Sequence, residues 1–167
     1  DHLEHQLAPV NTWGTRYVAD RFEPRSGEGY DVWRIMAAKD GTVITTDPSI
    51  EGVSGKVLNK NEWLEYQSDK PHLIHSGFQD SSKQGERAPI QVGHFMIGSN
   101  MPNFQPVCGE EQTGIGDPAF TIGVATEQYL DRYVVLTPPG YDKDWLNIVR
   151  VKGETVQLDG VPIQEPA

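Results

Sequence analysis

Cysteine is almost absent from this chain of 167 residues, which contains a single one at Cys108. No internal disulfide can form, so the small disulfide-held scaffolds are excluded and stability must come from packing. The length suits about one domain and is sufficient to bury a core without covalent staples. No family-type nucleophile signature surrounds Cys108, so we expect an inert thiol.

Positive charge is also scarce, with 14 Lys and Arg against 24 Asp and Glu and a formal net charge of −10. An acidic chain repels phosphate backbones and anionic lipids unless a basic patch overcomes its field, and no run of Lys or Arg supplies one. Long apolar runs are missing too, since residues 133–136 fall far short of the roughly 20 residues of a membrane helix. We therefore predict neither nucleic-acid binding nor membrane insertion, and expect a glycan or protein ligand.

Amphipathic helical patterns of three turns are absent, whereas strand patterns recur along the chain. In residues 30–39, Val32, Arg34 and Met36 alternate with apolar residues that face the other way. Similar β-forming runs occupy residues 15–19, 72–78 and 91–97. We predict one β-rich domain over residues 1–167, an all-β and mainly antiparallel β-sandwich with one long irregular loop region and at most short helical turns.

Two Asp-Gly pairs predict tight hairpin turns, Asp40-Gly41 and Asp159-Gly160. A type I′ turn needs positive φ at both central residues, which Gly tolerates freely and Asp better than most residues. The flanking runs are β-like in both cases. Each pair is therefore expected to join two neighbouring antiparallel strands.

The run from Gly116 to Pro139 is expected to form a core element. Phe120, Ile122 and Val124 alternate as in a strand, residues 127–132 suggest a helical turn, and residues 133–136 suggest a second buried strand before two prolines. A further strand is predicted over residues 145–152, in which Leu146, Ile148 and Val149 are apolar.

The candidate binding region is residues 79–116, which is polar at its start and has no periodic pattern from residue 98 onward. Irregular loops longer than about 12 to 15 residues in a compact domain tend to be functional or mobile. Two tryptophans near turns are further candidates, as sugar-stacking platforms. The predicted ligand-binding residues are Trp13, Trp63, Asp80, Glu86, Asn100, Asn103, Glu110 and Glu111.

Catalytic and metal-binding alternatives are weaker. His72 and His75 are three residues apart on a predicted strand and so point to opposite faces, which does not suit a shared metal ion. The acids near residues 79–116 match no EF-hand, and a solvated acidic surface is favoured over calcium, which stays open. A carbohydrate hydrolase using two of these acids across a cleft is the enzymatic alternative, and a spacer domain of a surface protein is the structural one.

A set of ordered motifs resembles one known family, the IgGFc-binding protein N-terminal domain family. The motifs are His5-Gln6-Leu7-Ala8-Pro9-Val10, Trp13-Gly14-Thr15, Asp40-Gly41-Thr42-Val43, Ser68-Asp69-Lys70-Pro71, Gly116-Asp117-Pro118-Ala119, Glu127-Gln128-Tyr129, Thr137-Pro138-Pro139-Gly140, Asn147-Ile148-Val149 and Leu158-Asp159-Gly160. The resemblance implies a secreted or surface-displayed β-rich module for recognition or adhesion, with no catalytic residue set. It also implies further strands beyond Ile163, so a following segment of the same precursor is an expected partner of the last hairpin.

Overall fold

The computed structural model of the chain describes residues 3–22, 29–97, 118–137, 139–140 and 144–163. Three 3₁₀ turns occur in these residues, at Val10–Thr12, Ser81–Lys83 and Thr126–Gln128. None of the helical segments described has the length or apolar character to cross a membrane. The strands are β1 (Arg16–Ala19), β2 (Asp31–Ala37), β3 (Thr42–Asp47), β4 (Lys56–Leu58), β5 (Trp63–Ser68), β6 (His72–Phe78), β7 (Ile90–Met96), β8 (Ala119–Ile122), β9 (Gln157–Leu158) and β10 (Val161–Pro162).

Two four-stranded antiparallel sheets pack against each other. Sheet A has the strand order β5-β2-β7-β8 and sheet B the order β1-β6-β3-β4. Side chains of both sheets form one buried cluster, with Ile35 and Val92 from sheet A and Ile44 and Ile74 from sheet B. The prediction of an all-β antiparallel sandwich with only short helical turns is confirmed.

The alternation predicted for β2 determines which face of sheet A enters this core. Trp33, Ile35 and Ala37 are all at most 3% exposed, whereas Arg34 lies on the opposite, solvent-facing side. Full burial of each large apolar side chain contributes about 1.5–3 kcal/mol. The inner face thus drives the packing of the two sheets, and the outer face is left for other contacts.

The prediction of a hairpin at Asp40-Gly41 is wrong. These residues connect β2 to β3, and the two strands belong to different sheets. Both edges of β2 are already paired, with β5 and β7, so β3 crosses over to sheet B. Only Gly41 has positive φ, at 70°, and a type I′ turn requires positive φ at both central residues.

The second Asp-Gly pair does form the predicted hairpin. Asp159 and Gly160 have φ values of 50° and 82°, and β9 and β10 pair directly on either side of them. The hairpin's side chains are solvent-exposed in the described structure. Its completion by a following segment stays a prediction.

The predicted core element around residues 120–136 is only partly present. Phe120 and Ile122 lie in β8, which ends before Val124, and the helical turn is shorter than expected at Thr126–Gln128. The prediction of a second buried strand is wrong, because residues 133–136 form no strand and Val134 is 92% exposed. Residues 145–152 likewise form no strand. Neither run pairs with a strand of the described structure, and without a partner its backbone groups cannot form a sheet.

Candidate functional site

A row of side chains crosses the outer face of sheet A, with one member from each of its four strands. The members are Trp63 of β5, Arg34 of β2, Phe95 of β7 and Phe120 of β8, and we call them the aromatic row. The Arg34 guanidinium carbon lies 4.7 Å from the centre of the Trp63 ring and 5.1 Å from that of Phe95. Phe95 and Phe120 are stacked with centroids 4.3 Å apart.

Strand register explains why these residues meet. Trp63 is opposite Met36, which lies two residues after Arg34, and Arg34 is opposite Gly93, which lies two residues before Phe95. Phe95 in turn is opposite Phe120, so all four side chains emerge on the same face. A Cβ atom on Gly93 would lie 3.0 Å from a ring carbon of Phe120 and 3.3 Å from one of Phe95. The glycine therefore leaves the space into which the two rings lean.

An ion pair fixes the cation of the row. Arg34 donates from Nε and Nη2 to the same carboxylate oxygen of Glu65, at 3.1 and 2.6 Å. Both side chains are more than two-fifths exposed, and exposed pairs of this kind contribute little to stability, about 0–1 kcal/mol. The effect of the pair is positional, because it holds the guanidinium between the Trp63 and Phe95 rings.

Of the two tryptophans predicted to bind ligand, only Trp63 is accessible. Trp63 is 53% exposed at the open end of the aromatic row, on edge strand β5. Trp13 is 6% exposed, and its indole N–H donates to the Ala8 carbonyl oxygen at 2.8 Å. The interpretation of Trp13 as a stacking platform is therefore wrong, since its ring is packed inside the protein.

The predicted acids Asp80 and Glu86 lie near a shallow pocket at one end of sheet B. Asp80 accepts a hydrogen bond from the Ser82 amide, and the hydrogen bonds from Ser82 hold the pKa of Asp80 below its usual value. Glu86 forms an exposed ion pair with Lys39 at 3.7 Å. The pocket has a volume of about 420 Å³ and is lined by Gly41, Val57, Phe78, Gln79, Asp80 and Lys83.

Two lysines flank the aromatic ring of this pocket. Lys83 Nζ lies 4.7 Å and Lys39 Nζ 5.8 Å from the centre of the Phe78 ring. The remaining predicted residues, Asn100, Asn103, Glu110 and Glu111, lie outside the described residues, as does the second half of the predicted binding region, residues 98–116. Its assignment as the binding surface stays a prediction.

A buried polar cluster lies between the sheets. His94 Nε2 donates to Asp31 Oδ2 at 2.8 Å, and both residues are more than nine-tenths buried. The His94 ring is stacked between Trp33, at 3.7 Å, and Phe22, at 4.0 Å. The same Asp31 oxygen accepts the amide hydrogen of Phe22, which ties the chain after β1 to sheet A.

A second buried histidine extends the cluster. His72 Nδ1 lies 2.9 Å from the Lys70 carbonyl oxygen, which can only accept, so Nδ1 carries the proton in the neutral ring. Nε2 is then an acceptor, and the Tyr66 hydroxyl 2.6 Å away donates to it. Burial lowers the pKa of His72 and raises that of Tyr66, which favours the neutral form of each.

The side chains of this cluster are not arranged as metal ligands. Across the residues that the structure describes, no group of three or more His, Cys, Asp or Glu side chains is arranged to hold a metal ion. The rings of the cluster stack and hydrogen-bond instead. They act as a polar part of the core, which specifies how the two sheets meet.

Sequence reasoning identified one member of the aromatic row, Trp63, and missed Arg34, Phe95 and Phe120. The alternation in β2 did place Arg34 on the face opposite to Ile35. Its meeting with the rings depends on which strands are neighbours and on their register, and a pattern within one strand carries no information on either.

Comparisons with known proteins agree with the resemblance in the motifs. The model of the family described as IgGFc binding protein matches residues 1–166, essentially the whole chain. No curated protein and no solved structure matches the chain.

Proposed function

Because the chain belongs to the IgGFc binding protein family, we propose that it is a non-catalytic recognition module, secreted or displayed on a cell surface. Its ligand is a protein, which it contacts through the outer face of sheet A. The description of the family names a protein ligand, and this favours protein over glycan as the first ligand class to test.

One observation carries the location of the site: the aromatic row is accessible at its Trp63 end. Large rings and arginine are the side chains that contribute most in protein interfaces, and they act best when already held in position. Here Glu65 holds Arg34, and Arg34 lies against Trp63, so little side-chain freedom remains to be lost on binding. A ligand that covers Trp63 also removes water from a partly exposed cation–π contact, which strengthens it.

The non-catalytic assignment is supported by how the two described acids are used. Asp80 caps a 3₁₀ turn and Glu86 pairs with Lys39, and neither is buried. A glycosidase needs one carboxyl group whose pKa is raised, usually by burial, whereas the pKa of Asp80 is lowered. Release of a chromophore from a panel of aryl glycosides by the native chain would overturn this part of the proposal.

The test is a binding screen of the native chain on arrays of extracellular proteins, IgG Fc fragments included, and of glycans. Trp63→Ala is compared with Trp145→Ala, which removes another exposed tryptophan that has no place in the aromatic row. We expect binding to one or more proteins, weakened by at least about tenfold in Trp63→Ala and unchanged in Trp145→Ala.

The other outcomes identify the alternatives. Binding to glycans alone would replace the protein ligand with a carbohydrate and direct attention to the pocket at Phe78. Protein binding that survives Trp63→Ala would move the site away from sheet A. No binding on either array would favour a spacer domain.

A further inference from the structure

We propose that edge strand β5 is a docking site for an extended, basic peptide segment, which adds to sheet A as a fifth strand and places an Arg or Lys on Trp63. This inference rests on the proposed protein-binding function and specifies how the ligand is held. Three features of β5 support it: free backbone groups, an unprotected edge and an open aromatic face.

The backbone of β5 has hydrogen-bonding groups available on one side. The Ala37 amide donates to the Glu62 carbonyl at 3.0 Å, and the Ala37 carbonyl accepts from the Asn61 amide. In an antiparallel pair, every second residue forms backbone hydrogen bonds to the partner strand. Counting from Glu62, the even-numbered residues of β5 bond to β2, and the backbone N–H and C=O groups of the odd-numbered residues point away from it. The N–H and C=O groups of Trp63, Glu65 and Gln67 therefore face outward, with no partner strand among the described residues.

This edge lacks the devices that usually prevent strand addition. Natural edge strands are short or carry lysine, proline or a bulge. The three other edges of the two sheets follow this rule, because β1 and β8 have four residues each and β4 has three. β5 has six residues and contains no lysine or proline, and its one charged side chain, Glu65, is turned toward Arg34.

The charge of the ligand follows from the aromatic row. Arg34 covers one face of the Trp63 ring, and just over half of the residue's surface remains exposed. A strand added beside β5 would bring an outer-face side chain within reach of that ring, because directly opposite side chains lie about 5 Å apart. A cation there continues the alternation of ring and cation, and the net charge of −10 attracts a basic segment.

The experiment uses a fluorescently labelled synthetic peptide of alternating Thr and Val with one central Arg, titrated with the native chain. A second peptide has Glu in place of Arg. Two further peptides carry N-methyl groups on alternate amides, one set on each side of the strand. We expect the Arg peptide to bind, the Glu peptide to bind about fivefold more weakly or worse, and only one of the two methylated peptides to lose binding.

Matched protein variants test the same contact from the other side. Gln67→Pro removes an outward N–H while leaving the bonds to β2, and Gln67→Thr keeps that N–H. We expect about a tenfold loss of affinity in Gln67→Pro, little change in Gln67→Thr and about a fivefold loss in Trp63→Ala. If Gln67→Pro fails to fold, as judged by its melting curve, the methylated peptides still decide the question.

The proposal is overturned if no peptide binds, if both methylated peptides bind like the parent, or if the Glu peptide binds equally well. A Trp63-dependent protein ligand on the array without peptide binding would leave the proposed function intact and exclude strand addition. The two ideas therefore fail separately.

Discussion

The Tyr66→Phe substitution gives a direct test of the buried polar cluster. It removes one oxygen atom from a side chain that is 9% exposed and keeps the ring in place. The lost hydroxyl donates to His72 Nε2 at 2.6 Å, and the other nitrogen of His72 is already committed to the Lys70 carbonyl. His72 cannot satisfy Nε2 by changing tautomer, because Nδ1 would then lose its own bond.

The magnitude follows from what the substitution leaves behind. A buried acceptor without a donor costs about 1–3 kcal/mol, compared with about 0.5–1.5 kcal/mol for an ordinary hydrogen bond whose partners can both return to water. His72 is 5% exposed, so the range for an unpaired buried acceptor applies, and we expect the free energy of unfolding to fall by about 2 kcal/mol. For a chain of this size the melting temperature should fall by about 2–4 °C per kcal/mol.

The assay is urea unfolding at pH 7.5, about one unit above the ordinary histidine pKa, so the ring of His72 is predominantly neutral in both states. Tyr133→Phe is the matched control, since it removes a tyrosine hydroxyl from an exposed side chain and should change the free energy of unfolding by less than about 0.5 kcal/mol. A loss below about 0.5 kcal/mol in Tyr66→Phe as well would refute the assignment of the His72 tautomer.

Three further outcomes are expected. Burial lowers the pKa of His72, so as the pH falls below about 6.5 this residue takes up its proton first in the unfolded chain. The free energy of unfolding should therefore fall as the pH drops through that value, and urea titrations of His72→Gln should show a smaller fall. Gly93→Ala should cost about 1 kcal/mol by crowding Phe120, whereas Gly77→Ala, with open space around its Cβ position, should be neutral in the same thermal melts. Gly160→Val should cost on the order of 1 kcal/mol or more, because its φ of 82° disfavours a β-branched residue, and an unchanged melting temperature would contradict the turn assignment.

The fold class was predictable because it depends on alternation within single strands. The placement of Arg34 and Ile35 on opposite faces of β2 follows from period two alone, and the structure has it. The turn at Asp40-Gly41 shows the limit of local reasoning. Turn chemistry indicates that the chain reverses, but the neighbours of β2 decide whether the next strand joins the same sheet.

The candidate site was predictable only in part, for a related reason. Trp63 was identified because it lies near a turn and is aromatic. Its neighbours in the aromatic row, Arg34 and Phe95, are about 30 residues away from it in sequence and meet it through strand pairing. The pair of His94 and Asp31 escaped prediction in the same way, since only the register of β2 and β7 brings them together.

The crossing at Asp40-Gly41 has a consequence for how the chain reaches its native state. Five of the seven links between consecutive strands from β1 to β8 pass from one sheet to the other. β2 therefore has no partner strand until β5 is synthesised, and its second edge is paired only by β7. Such non-local pairing has a high contact order and slows folding to milliseconds or seconds. Sheet A is complete only once β8, which ends at Ile122, is available, so an emerging chain exposes the apolar faces of the earlier strands of this sheet until then.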